Sequence, residues 1–128
     1  MSEKHVVRTE AAPAPFQGAP YSQAIAAGGF VFVSGQLGLE PGDTAISGGI
    51  EEQTEQVFAN LKAILEEAGT ALDRLVKTTV YLQHLDDFQA MNEVYAKHVG
   101  DRPPARATVE VSALPSGSLV EIEAIAHL

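Results

Sequence analysis

Cysteine and tryptophan are absent from the 128 residues, and methionine occurs only twice. Without cysteine there can be no disulfide, thiolate metal site, iron–sulfur cluster or cysteine nucleophile. The lack also suits a reducing compartment. Positive charge is scarce, with 8 Lys and Arg against 17 Asp and Glu and a formal net charge of −9. A surface that acidic repels phosphate backbones, so nucleic acid is not an expected partner. Long apolar runs are missing too. The longest, residues 24–33, is interrupted by Gly28 and Gly29 and falls far short of the roughly 20 residues a membrane helix needs. The start, Met1-Ser2-Glu3-Lys4-His5, has no apolar h-region of a secretory signal. These absences lead us to expect a soluble, cytoplasmic chain with no membrane partner. Phosphate-loop, Gly-x-Gly-x-x-Gly and paired-histidine metal motifs are absent as well. His5, His84, His98 and His127 are scattered and read as surface or packing histidines.

Hydrophobic residues make up 45% and charged residues 20%, ordinary globular usage for one domain. Residues 1–18 are polar, then rich in Ala and Pro, and read as an extended N-terminal arm. The domain proper spans 19–128. Within it, Gly28-Gly29 separates two apolar stretches, Gln23–Ala27 and Phe30–Gly35, a two-residue hairpin signal. After Gly48-Gly49, the apolar positions Ile50, Val57, Phe58, Leu61, Ile64, Leu65 and Ala68 follow a helical period. Residues 75–82 alternate and are rich in Val and Thr, which predicts a strand. Asp86-Asp87 suits the start of a second helix, with Phe88, Met91 and Tyr95 on one face. Pro103-Pro104 stops it. Two more strands, over 106–111 and 119–127, complete a β-β-α-β-α-β-β order, an α+β domain.

Alternation divides each strand into two faces. In the last strand Val120, Ile122, Ala124 and Ala126 share one face, and Leu119, Glu121, Glu123 and Ile125 the other. In the strand before it, Ala107, Val109 and Val111 oppose Arg106, Thr108 and Glu110. The small apolar faces are expected under the two helices. Phe30–Val33 is apolar on both faces, and two helices cover only one side of a sheet. A second copy of the chain is therefore the expected cover, with carboxylates and an arginine near the subunit boundary.

Two side chains stand out. Arg106 follows the stiff Pro103-Pro104-Ala105 and begins a strand of small residues. Its planar fork suits a carboxylate held by two hydrogen bonds, or an ordinary ion pair with Glu110. Glu121, on a half-buried strand face, is either a general base or a structural ion-pair partner.

The residues then form a recognisable set. Pro20-Tyr21-Ser22-Gln23-Ala24 and Phe32-Val33-Ser34-Gly35-Gln36 open it. Gly49-Ile50-Glu51-Glu52-Gln53-Thr54 leads into Asn60-Leu61-Lys62. Residues 76–82 are followed by Asp87-Phe88 and Met91-Asn92-Glu93-Val94-Tyr95. Pro104-Ala105-Arg106, Val109-Glu110-Val111 and residues 120–126 close it. Together they resemble the Rid/YjgF family, and within it the RidA-type enamine/imine deaminases, from about Ala11 onward. The resemblance implies a chorismate-mutase-like fold, with a mixed sheet and two helices on one face. It implies a homotrimer whose sheets form a central barrel, with three intersubunit clefts. It further implies hydrolysis of 2-imino acids, formed from 2-aminoacrylate and related enamines, to 2-oxo acids and ammonia, with no metal or organic cofactor. Such small 2-imino and 2-oxo carboxylates would be the ligands.

By the same resemblance, Arg106 would grip the substrate carboxylate and Glu121 would activate water. Tyr21 would line the cleft, Gly35 would allow close backbone approach, Asn92 would support the cleft, and the backbone at Thr108 would contact the carboxylate. Thr108 stands where many relatives carry cysteine, and Ala19 where glycine is common. Three other functions compete: a non-catalytic small-carboxylate-binding regulator, an RNA-directed activity of the endoribonuclease or translation-inhibitor kind, and a hydrolase of another small C=N or carbamoyl compound.

Overall fold

The hairpin glycines both adopt positive φ, 60° at Gly28 and 85° at Gly29. That is the two-residue turn whose twist matches antiparallel strands, and side chains rarely tolerate it. It joins β2 (Ala24–Ala27) to β3 (Phe30–Leu37). The computed structural model describes residues 3–128; Met1 and Ser2, at the start of the expected arm, lie outside the described residues. The expected order of elements is present, with a strand added at its front. β1 (His5–Val7) pairs antiparallel with β2 inside the stretch read as an arm. Then come α1 (Ile50–Glu67), β4 (Leu75–Leu82), α2 (Phe88–Val99), β5 (Ala105–Glu110) and β6 (Val120–His127). The six strands form one mixed sheet in the order β1-β2-β3-β6-β4-β5. Only β4 and β5 run parallel, because α2 is the crossover between them.

Beyond the β1–β2 pairing, a buried glutamine anchors the arm. Gln23, buried at 3% exposure, accepts the Thr9 N–H at 2.7 Å and donates to the carbonyls of Thr9 and Pro13 at 3.0 and 2.8 Å. Those bonds satisfy backbone groups that the arm would otherwise leave unpaired.

Helix α1 begins where Glu52 reaches back to accept the Gly49 N–H at 2.9 Å, a capping interaction at the positive helix end. Its apolar stripe is buried as the period predicts: Val57, Phe58, Leu61, Ile64 and Leu65 are all fully covered. Removing the Phe58 ring would cost about 3–5 kcal/mol. On α2, Met91, Val94, Tyr95 and Val99 are buried. Asp87 holds the N-cap position but makes no side-chain cap bond. Phe88, expected on the buried face, is 37% exposed. It lies at the first position of the helix, beyond the packed turns.

The faces of β6 and β3 fall as expected. Val120, Ile122, Ala124 and Ala126 face the helices with Val31 and Val33. Phe30 and Phe32 lie on the open face at 42% and 45% exposure. The face assignment for β5 is overturned. Arg106 and Thr108 pair with Thr78 and Val80, which are fully buried beneath the helices. Arg106 and Thr108 therefore lie on the helix side. Ala107 and Val109 pair with Thr79 and Tyr81 and face the open side. Alternation separates two faces without saying which is covered. On this edge strand the helix layer does not seal the sheet, so a charged residue can face it and still reach water.

Candidate functional site

The open face carries a cleft of about 490 Å³ where β3, β6 and the arm meet. Glu121 projects into it from β6, beside Ser34 and Gly35 of β3, with Tyr21 and Phe16 on the arm side. The β3–β6 register shifts between Val33 and Gln36, and this irregularity falls on Ser34 and Gly35. Irregular pairing of this kind re-aims side chains at the sheet. A Cβ on residue 35 would lie 2.9 Å from the Glu121 carboxyl carbon and closer still to Oε2. The space that glycine vacates is thus occupied by the Glu121 carboxylate itself.

Burial holds the Glu121 carboxyl above its ordinary range, and the neighbouring Glu123 charge adds to the effect. Desolvation and like charge both disfavour the ionised form. Glu123 is in turn anchored by the Tyr81 hydroxyl, which donates to its Oε1 at 3.1 Å. Tyr21 closes the other side. Its hydroxyl oxygen accepts the Phe16 N–H at 2.6 Å, so the ring is fixed while its own proton remains free to donate. Ser34 donates to the Ser22 carbonyl at 2.6 Å and ties the two walls of the cleft.

Arg106 is elsewhere. It lines a separate hollow of about 400 Å³, together with Asn92, Tyr95 and Pro104. Its guanidinium carbon lies 4.6 Å from the Tyr95 ring centre and 5.6 Å from that of Phe88. Among the described residues the Glu55 carboxylate meets Lys97 and the His98 ring, and Arg106 has no carboxylate within ion-pair distance. The Glu110 carboxylate instead accepts the Leu85 N–H at 2.8 Å. The ion-pair alternative therefore has no support in the geometry. Asn92 presents a buried Oδ1 with no hydrogen-bond partner. Thr108 is half-buried on the same face of β5.

The site residues named from the sequence thus form two groups. Tyr21, Gly35 and Glu121 come together on the open face; Arg106, Asn92 and Thr108 gather on the helix side at the sheet edge. One chain does not bring Arg106 to Glu121. Two further cleft residues, Phe16 and Pro115, were not marked by the sequence. Each sits in a tight turn beside a residue of positive φ, Gln17 at 54° and Ser116 at 55°, and those turns were the available signal. No group of three or more His, Asp or Glu among the described residues is placed to hold a metal ion.

Three comparisons bear on this arrangement. The family model described as Endoribonuclease L-PSP matches residues 9–128. A RutC family protein of Pyrococcus abyssi is 54% identical, over 97% of each chain. The human 2-iminobutanoate/2-iminopropanoate deaminase is 40% identical, over 96% of this chain and 89% of its own. The crystal structure of RidA from an Antarctic Psychrobacter superposes with a TM-score of 0.92 at 44% identity, covering 97% of this chain and 99% of that one. With a family match over almost the whole length and the same fold in a RidA structure, the chain belongs to the Rid/YjgF family.

Proposed function

We propose that this protein is an imine deaminase, needing no metal or organic cofactor, that hydrolyses small 2-imino acids to 2-oxo acids and ammonia. Its active form is a homotrimer. Each cleft pairs Tyr21, Gly35 and Glu121 of one copy with Arg106, Asn92 and the Thr108 backbone of the next. The observation that carries the reading is the half-buried Glu121 carboxylate, seated in the space Gly35 leaves and opening into a cleft. The separation of Arg106 from Glu121 within one chain supports an intersubunit site. So do the exposed apolar side chains Phe30, Phe32 and Val109 on the open face, which a second copy would cover. The relative named as a deaminase supports the reaction class. A cytoplasmic location belongs to the same proposal.

The chemistry needs little more. An unpaired guanidinium binds the substrate carboxylate with two parallel hydrogen bonds and so fixes the adjacent C=N carbon. It also supplies the local positive charge that an anionic substrate needs on a chain of net charge −9. Water attacks the carbon of the protonated imine as Glu121 takes a proton from that water, giving a neutral carbinolamine. Glu121 returns that proton to the amine, the C–N bond breaks to release ammonia, and the hydroxyl proton passes to the departing ammonia as its oxygen becomes the 2-oxo carbonyl. A carboxyl held above its ordinary range by burial suits both steps, and such a group contributes on the order of 10²–10⁴-fold.

The test is ammonia and 2-oxo acid release from 2-aminoacrylate, made in situ from serine by a dehydratase. Wild type should exceed the spontaneous rate, while Arg106→Ala should match it and keep the wild-type oligomer mass. Equal acceleration by both proteins would refute the role of Arg106. No acceleration by either would refute the substrate class. RNA cleavage by a chelated, nuclease-free preparation would favour the RNA-directed reading, which the acidic surface opposes.

A further inference from the structure

We propose that Tyr95 is the positioning residue for Arg106: its ring is a fixed platform on which the guanidinium stacks, locked by a hydroxyl bond to Thr78. The inference deepens the proposed function, since it concerns how the carboxylate-binding arginine is held.

Five observations meet at one place. Tyr95 is 5% exposed and Thr78 fully buried. Their hydroxyls lie 2.6 Å apart. Phe58 packs edge-on against Tyr95, with ring centres 5.3 Å apart and planes at 83°, which stops the Tyr95 ring from tilting. Thr78 is also the register partner of Arg106 across the parallel β4–β5 pair, so the residue that locks the ring stands beside the arginine it supports. The guanidinium sits 4.6 Å above that ring, and the Phe88 ring bounds it at 5.6 Å. Both distances fall within cation–π range.

This arrangement solves a specific problem. An arginine that must receive a carboxylate cannot be held by a carboxylate of its own, because the partner would occupy the fork. Aromatic rings hold it by its faces and put no carboxylate on its N–H edge. A long side chain that is ordered beforehand does not lose its rotamer freedom again when the ligand arrives. Burial also serves the platform electrically. Burial holds the Tyr95 hydroxyl above its ordinary range, although the Thr78 bond and the Arg106 charge pull the other way. The ring therefore stays neutral, and the guanidinium meets a π-face and not a phenolate.

The test combines motion and binding. The Nε–H signal of Arg106 is followed by NMR relaxation in wild type, Tyr95→Phe, Tyr95→Leu and Thr78→Val, with exposed Arg74 as the internal reference. Arg106 should be rigid in wild type, and in Tyr95→Leu as mobile as Arg74. Tyr95→Phe, which keeps the ring and loses the lock, should fall between. Thr78→Val, which spares the ring entirely, should reproduce Tyr95→Phe. Pyruvate affinity and deaminase KM should weaken by about tenfold in Tyr95→Leu, the scale of a partly desolvated cation–π contact. The folded fraction should keep a kcat within about threefold.

Arg106 as mobile as Arg74 in wild type would overturn the proposal, whatever the activity. So would a fall in kcat with KM and pyruvate affinity unchanged, which would place the effect of Tyr95 outside carboxylate binding. If Tyr95→Leu does not fold, Tyr95→Phe and Thr78→Val decide, and wild-type rigidity in both would overturn the lock. A wild type that has a rigid Arg106 but neither binds pyruvate nor turns over imine would sink the deaminase reading and leave the platform standing.

Discussion

Replacing Gly35 with alanine tests the placement of Glu121 with the smallest possible change. The added methyl would stand 2.9 Å from the Glu121 carboxyl carbon and 3.1 Å from Cγ, with Oε2 nearer still. Ordinary contacts between such atoms begin near 3.5 Å, so the carboxyl must retreat by roughly an ångström. Gly35 does not have positive φ, so alanine brings no backbone strain there, and the clash falls on one side chain. Turning Glu121 to an off-rotamer position costs about 0.5–1.5 kcal/mol, too little to unfold the domain. For the reaction, a misplacement of that size costs on the order of 10²-fold, close to 2.7 kcal/mol of barrier. We expect Gly35→Ala to retain its oligomer mass and to melt within a few degrees of wild type, with kcat down about a hundredfold. The assay is ammonia release from an imine generated in situ, read as the excess over the spontaneous rate. Adding Gly35→Ala to Glu121→Gln should cost nothing further, because the methyl acts only through the carboxylate it displaces. Wild-type kcat in Gly35→Ala, or full additivity in the double variant, would refute this account.

The raised Glu121 carboxyl predicts a pH-dependent stability difference. A group whose folded value lies above its unfolded one stabilises the fold fully below the unfolded value, near 4.5, and loses that contribution as pH rises through the folded value. Melting temperatures of Glu121→Gln and wild type should therefore diverge in favour of the variant as pH climbs from 4 to 8; a constant difference would contradict the shift. Gln23→Leu removes the side chain that satisfies the arm at Thr9 and Pro13. We expect a loss of about 3 kcal/mol and a melting point lower by roughly 10 °C, and an unchanged thermogram would show the arm to be energetically idle. Phe32→Glu places a charge on the open face and should reduce the proposed trimer of the 13.5 kDa chain to monomer in sedimentation, with loss of the proposed deaminase activity. An intact trimer in that variant would remove the open face from the interface.

Much of this fold is legible in the sequence because its signals are local. Two glycines of positive φ write the hairpin, and the spacing of Val57, Phe58, Leu61, Ile64 and Leu65 writes α1. β1 was not legible. His5–Val7 is short and polar at its start, and it pairs with Ala24–Ala26, distant in sequence, a contact that no local period reports. The covered face of β5 is not legible for a related reason. Alternation is a property of one strand, whereas the choice of covered face depends on where α2 crosses. Tyr95 was visible only as a core residue of a helix, and its second role appears once the parallel pairing sets Thr78 beside Arg106. Of the site, the residue types were legible through the motifs. Their division between two faces was not, because it depends on register.

The strand order has a consequence for how the protein is made. β6, the last of the six strands to leave the ribosome, lies between β3 and β4 at the centre of the sheet. Until it emerges, β1–β3 form a meander with an unpaired edge along β3, and β4 with β5 form a parallel pair with a bare edge along β4. These edges belong to strands carrying Val31, Val33, Val80 and Leu82, all buried in the finished domain. Bare apolar edges recruit other strands, and long-range pairing closes slowly. The nascent chain therefore carries its greatest aggregation hazard in the interval before residues 120–127 are available, and chaperone demand should peak there. Substitutions that slow the seating of β6 would lower yield in cells while leaving the purified protein unchanged.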